Sequence, residues 1–209
     1  AEQVDATLGF LGDGANFVGA QKVGAIYEKG GINTILKSSP KAVVLLNIEP
    51  MSDLPDPLAA RTVLQGAQTV IALSTYASED LLELADVILP ITPYAEQAGT
   101  YVNIAGEIQS SQASVRPFGQ ARPAWKVLRV LGGLLGLPNF NFNTVEEVKS
   151  VAIGQDESTI TMPKHVSIPV NVSFDVSTAG LERLADLPIH FTDGIVRRSA
   201  ALKLTLDSK

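Results

Sequence analysis

The sequence predicts an α/β fold: a doubly wound, mainly parallel sheet with a small α+β C-terminal extension. Two observations carry this. AVVLLNI (42–48), TVIALS (69–74) and ADVILP (85–90) are apolar on consecutive positions rather than alternate ones, as strands covered on both faces are. Between them lie the helix-like segments PLAARTVLQGA (57–67) and SEDLLELA (78–85), so strands and helices alternate and right-handed crossovers are expected.

In chain order, ATLGFLG (6–12) predicts a further strand and NFVGAQKVGAIYEKG (16–30) a helix. YVNIAGEIQSSQ (101–112) reads as a hairpin turning at Ala105-Gly106, where Gly106 supplies the positive φ such turns need. ARPAWKVLRVLGGLLG (121–136) is the clearest helix, with Trp125, Leu128, Leu131 and Leu135 forming one apolar stripe. Pro123 suits its first turn, and Gly136 followed by Pro138 marks its end. Beyond residue 138 the chain becomes more polar. A short helix is expected at 144–152, a half-buried strand at IPVNVSFDV (168–176), where apolar and polar residues alternate, and a short helix at 178–186. The predicted division is an α/β body, residues 1–140, and the C-terminal extension, residues 141–209.

Composition narrows the chemistry. With 209 residues, 45% of them hydrophobic, the chain can bury a sizeable core. A net charge of −6 is unlike the basic footprint of a nucleic-acid binder, so no nucleic acid is expected as a partner. With no cysteine, the chain itself has no disulfide, thiolate nucleophile, cysteine-ligated zinc or iron–sulfur cluster. No apolar run approaches the roughly 20 residues of a spanning helix, so no direct membrane insertion is expected. AEQVDATLGF lacks the basic and apolar regions of a signal peptide, and its opening on Ala1 in mid-pattern is expected for a piece of a longer protein, the alternative being a processed or tag-cleaved complete one.

Familiar catalytic patterns are absent. GDGANFVGA (12–20) has a Gly-x-Gly, but Phe17 stands where a dinucleotide loop needs its third glycine; a strand-to-helix turn is the better reading. His165 and His190 lie far apart in the tail without ligand-type neighbours, and no Gly-x-Ser-x-Gly elbow occurs. LNIEPMSDLPDP (46–57) places three acids, Glu49, Asp53 and Asp56, after a strand's C-terminal end, where open α/β sheets bind ligands; they could hold a cation or a ribose, or make a solvated turn. Arg197-Arg198 could pair with acids on a partner, or end a solvated helix. On the residues alone the domain has no self-sufficient catalytic constellation. No catalytic, cofactor-binding or metal residue is assigned.

ADVILPITPYAEQAGTYVNIAGEIQ (85–109) resembles a motif of the molybdopterin oxidoreductase superfamily: Ala-Asp-Val-hydrophobic-Leu-Pro, then Glu-x-x-Gly-Thr-x-x-Asn-x-Glu-Gly-Arg-x-Gln. Ala85, Asp86, Val87, Leu89, Pro90, Glu96, Gly99, Thr100, Asn103, Gly106 and Gln109 match it. FGQARPAWKVLRVLGGLLG (118–136) is similar to the family's Gly-x-Ala-Arg-Pro-x-Trp helix. Within the superfamily, LPIHFTDGIVRRSAALKLT (187–205) resembles the C-terminal end of the large iron–sulfur subunit (75-kDa type) of respiratory complex I, the bacterial NADH–quinone oxidoreductase, through Ile189, Asp193, Val196, Arg197, Arg198 and Leu202. The sequence departs from cofactor-carrying relatives at Ala105-Gly106-Glu107, where Glu107 replaces an arginine by a carboxylate, and in the shortness of the segment after Pro138.

That resemblance implies a non-catalytic structural portion of the iron–sulfur subunit, with the fold retained and no cofactor in this portion. The whole enzyme would pass electrons from NADH through FMN and Fe–S clusters to quinone, coupled to ion pumping. Those clusters would sit in a cysteine-rich part amino-terminal to this chain. Other peripheral-arm subunits of complex I would be the partners, on the cytoplasmic side of the inner membrane. The competing reading is part of an active molybdopterin-dependent oxidoreductase of the formate dehydrogenase or nitrate reductase type; a third is a free-standing nucleotide-binding domain.

Overall fold

A computed structural model describes residues 14–25, 31–154 and 193–204. The predicted strand at 6–12, residues 26–30, the strand at 168–176, the helix at 178–186 and both histidines lie outside the described residues. The helix expected over 16–30 is shorter than predicted: it spans Phe17–Lys22, is capped at Val23, and the chain leaves it at Gly24 with φ 70°.

The expected parallel α/β arrangement forms. Strands β1 (Ala42–Leu46), β2 (Thr69–Ser74) and β3 (Val87–Pro90) make a parallel sheet in the order β1-β2-β3, with Val44 opposite Ile71 and Ile71 opposite Val87. Helices α3 (Pro50–Asp53) and α4 (Pro57–Gly66) lie between β1 and β2, and α5 (Glu79–Leu84) between β2 and β3. Both longer crossovers start on a capping side chain: Asp56 accepts from the Ala59 amide at 2.9 Å with Pro57 in the first turn, and Ser78 accepts from the Leu81 amide at 3.4 Å. Leu64 of α4 and Leu81 of α5 are buried in one cluster with Leu45, Val70 and Ala72, so both helices cover the same face of the sheet. Two successive right-handed crossovers stepping the same way require this. The opposite face carries Val44, Leu46 and Val87, each close to half exposed.

A second layer is built from the hairpin. β4 (Gly99–Val102) and β5 (Ile108–Ser111) pair antiparallel, with Val102 opposite Ile108. Val18 of α1 (Phe17–Lys22) and Val102 form a buried pair against which Ile108 and Ile153 pack, the last from α7 (Val145–Ile153). The Asn16 side chain completes the join. Its Oδ1 accepts from the Val102 amide at 2.8 Å and its Nδ2 donates to the Thr100 carbonyl at 3.3 Å. GDGANFVGA thus delivers an asparagine to a strand edge.

Helix α6 (Ala124–Leu134) follows the extended segment that carries Arg122, whose backbone bridges Ile91 in parallel beside β3. Its apolar stripe is only half buried, and Leu135 stays 65% exposed. Helix α2 (Gly31–Leu36) has no counterpart in the sequence pattern; α7 falls within one residue of the predicted 144–152.

Candidate functional site

The C-terminal ends of β1, β2 and β3 open into a crevice of about 380 Å³. Open parallel sheets place ligands here because the strand-to-helix loops spread apart at this edge. β1 delivers Asn47, held at φ 49°, and the loop after it Glu49 and Asp53; β2 delivers Ser74, Thr75 and Tyr76; the segment after β3 delivers Thr92 and Gln97. Asp193, Gly194 and Arg197 close the other side.

The acid-rich loop is not a free turn. Asp56 caps α4, and the Asp53 carboxylate accepts from the Glu49 amide at 2.6 Å. The Glu49 side chain, the one buried acid among the described residues, receives Arg198 through both oxygens: Nη1 to Oε1 at 2.8 Å and Nη2 to Oε2 at 2.9 Å. Such a fork-on-fork pair is the strong, directional form of an arginine–carboxylate contact. Arg197 donates through Nη2 to Asp53 Oδ1. The Arg198 guanidinium also lies 4.1 Å from the centre of the Tyr76 ring. The Glu49 hydrogen bonds hold the Arg198 pKa above the usual arginine value; burial opposes them, and attraction to Glu49, Tyr76 and Asp53 adds to them.

Of the three acids, Asp56 is exposed and caps α4, as a solvated turn would have it. Glu49 and Asp53 are engaged by arginines of the same chain, 149 and 144 residues away. Arg197 and Arg198, read as contacts for a partner or a solvated helix end, turn inward instead. Among the described residues no group of three or more His, Asp or Glu side chains is placed to hold a metal ion. No helix among them is long and apolar enough to cross a membrane.

The polar residues of the 85–109 motif hold backbone together. Asp86 Oδ2 accepts from the Val70 amide at 2.7 Å, while the Asp86 amide donates to the Val70 carbonyl at 2.9 Å. Glu96 Oε2 accepts from the Phe118 amide at 2.9 Å, and Thr100 shares a hydrogen bond with Ser110 across the hairpin at 3.2 Å. Asn103 Oδ1 accepts from the amides of Ala105 and Glu107, and its Nδ2 donates to Glu107 Oε2 at 2.8 Å. Gly106 sits in this turn at φ 84°, where a Cβ would be strained. Glu107, which stands where the resembling motif has arginine, is therefore part of a closed turn.

A family model described as molybdopterin oxidoreductase matches residues 5–134, more than half of the chain. The chain belongs to the molybdopterin oxidoreductase family. Relatives of this molybdopterin oxidoreductase domain include the mitochondrial NADH-ubiquinone oxidoreductase 78 kDa subunit of Candida albicans, 36% identical over 107 residues, which are 50% of this chain and 14% of that protein. A subunit of the NADH-quinone oxidoreductase of Streptomyces coelicolor is 33% identical over 114 residues, 51% of this chain and 13% of that protein. The F420-dependent formate dehydrogenase 1 subunit alpha of Methanococcus maripaludis is 32% identical over 109 residues, 52% and 16% respectively. The alignments thus span about one-seventh of the length of these relatives.

The residues that close the crevice are only partly legible in the sequence. Both halves of the contact, the acids and the arginine pair, stand out, but nothing in their spacing joins them. Tyr76 carries no signal of its own.

Proposed function

We propose that this domain is a non-catalytic, cofactor-free structural portion of the iron–sulfur subunit of an NADH–quinone oxidoreductase. In that complex it packs against other peripheral-arm subunits on the cytoplasmic face of the membrane. Electron transfer from NADH through FMN and Fe–S clusters to quinone is then the work of other parts of the complex. The observation that carries this reading is the wall of the crevice: at the place where a parallel α/β sheet receives a ligand, the chain's own Asp193, Gly194, Ile195 and Arg197 line one side, tied to the strand-end loop through Asp53 and Glu49. Charge supports it. A pterin nucleotide brings phosphates, whereas Glu49, Asp53 and Asp193 line the crevice and both arginines there already hold carboxylates. Three carboxylates disfavour a phosphate there, against which Arg197 offers Nε and Nη1, buried and without a hydrogen-bond partner. Two relatives named as subunits of NADH oxidoreductases add weight.

The formate dehydrogenase relative keeps the second reading in view, an active pterin-dependent oxidoreductase. Isolation of the full-length subunit from its source separates the two. The proposal expects a multisubunit NADH-oxidising assembly with no stoichiometric molybdenum, tungsten or pterin. A subunit carrying one metal and one pterin per chain would sink it.

A further inference from the structure

The crevice has an acceptor for each of two neighbouring guanidinium groups and an aromatic face for one of them. Glu49 takes Arg198 side by side through two hydrogen bonds, at 2.8 and 2.9 Å, and the Tyr76 ring lies 4.1 Å from the same guanidinium. Asp53, steadied by the Glu49 amide, takes Arg197. The segment that presents the arginines is shaped for them. Asp193 Oδ1 accepts from the amides of Ile195 and Val196 at 2.8 and 2.9 Å and so starts the single turn Val196–Arg198. The Gly194 carbonyl accepts from Arg198 Nη1 at 2.8 Å. A Cβ on Gly194 would stand 3.4 Å from Glu49 Oε1 and 3.6 Å from Arg198 Nη1, in ordinary contact, so the backbone of the segment runs close beside the pair.

From this geometry we propose that Glu49, Asp53 and Tyr76 form a recognition site for a segment with two adjacent arginines, filled in cis by residues 193–198. The chemistry selects arginine over lysine. Only a planar guanidinium can meet both Glu49 oxygens and lie against an aromatic ring at once; an ammonium makes a point contact. The occupant is held mainly by charge-assisted contacts that reach the surface at Arg198, one-third exposed, while Arg197 and Glu49 are largely covered. A seat of that kind opens locally without the sheet unfolding, so a second Arg-Arg peptide can compete for it. The site stands whether or not the domain belongs to a redox-inactive subunit.

Hydrogen exchange on the intact chain tests it. In an Arg197→Ala, Arg198→Ala variant, the amides of Glu49 and Tyr76 should lose about tenfold or more in protection, while those of Ala72 and Leu73 in β2 stay unchanged. A synthetic peptide of residues 193–200 should restore protection saturably, and the same peptide with both arginines replaced by lysine should bind about tenfold more weakly. Unchanged protection in the variant, no response to the peptide, or equal binding of the lysine peptide would each overturn the proposal. If the double variant does not fold, Arg198→Lys keeps the charge and removes the fork; wild-type protection at Glu49 in that variant also overturns it.

Discussion

Asp86→Ala tests whether the most recognisable acid of the sequence is structural. Its carboxylate accepts from the Val70 amide at 2.7 Å, at the start of the central strand, and its own amide returns the contact to the Val70 carbonyl at 2.9 Å. Val70 is 2% exposed, so water has poor access to its N–H once the carboxylate is gone. Leaving such a donor unpartnered costs about 1–3 kcal/mol. For a chain of this size each kcal/mol lowers Tm by about 2–4 °C, so a cost of about 2 kcal/mol moves Tm down by about 4–8 °C. Asp86→Asn keeps an acceptor and loses only the charge, so it should cost about half as much. Urea unfolding with a parallel thermal melt reads both, and an unchanged m-value confirms that the native state is the one affected. An Asp86→Ala chain melting within about 1 °C of wild type would refute the argument. So would an asparagine variant as unstable as the alanine one.

Leu81→Ala empties a fully buried position between α5 and the sheet and should cost about 2–5 kcal/mol in urea unfolding. Gly132→Ala would set a Cβ 2.2 Å from Phe140 Cδ1, and the overpacking should destabilise by about 1–3 kcal/mol; adding Phe140→Leu should recover part of the loss, and simply additive costs would show that the two side chains do not meet. The raised Arg198 pKa means its contribution is fully present below the unfolded-state value and disappears only in strong alkali. The Tm difference between wild type and Arg198→Ala should therefore stay constant from about pH 7 to about pH 9. It should shrink in about 1 M salt, where the screening length falls to about 3 Å.

Local patterns carried most of the fold. TVIALS became β2 at its predicted bounds, and Ala105-Gly106 turned the hairpin, because burial on both faces and a positive φ leave marks on adjacent residues. Where the determinants are tertiary, the sequence pattern stops short. GINTIL (31–36) opens on glycine and carries two isoleucines and a threonine, a weak helix by propensity, and it becomes α2 all the same. Glu49 and Arg198 are each visible as charged residues, but a contact across 149 positions leaves no periodicity to read. The resemblance located the family correctly and, by itself, said nothing of how its polar residues are used.

Asn16 does more than fasten α1 to the hairpin. A strand at the rim of a two-stranded sheet offers alternating N–H and C=O groups, and such a row is a template for a strand of another molecule. The outward groups of β4 at Thr100 and Val102 are the ones that the Asn16 amide fills, with its own acceptor and donor. One side chain thus imitates a single residue of a neighbouring strand and brings the ladder to an end. Where many proteins guard a sheet edge with lysine, proline or a bulge, this one guards the β4 edge with a carboxamide set beside a helix, so the groups a further strand would use there are already taken.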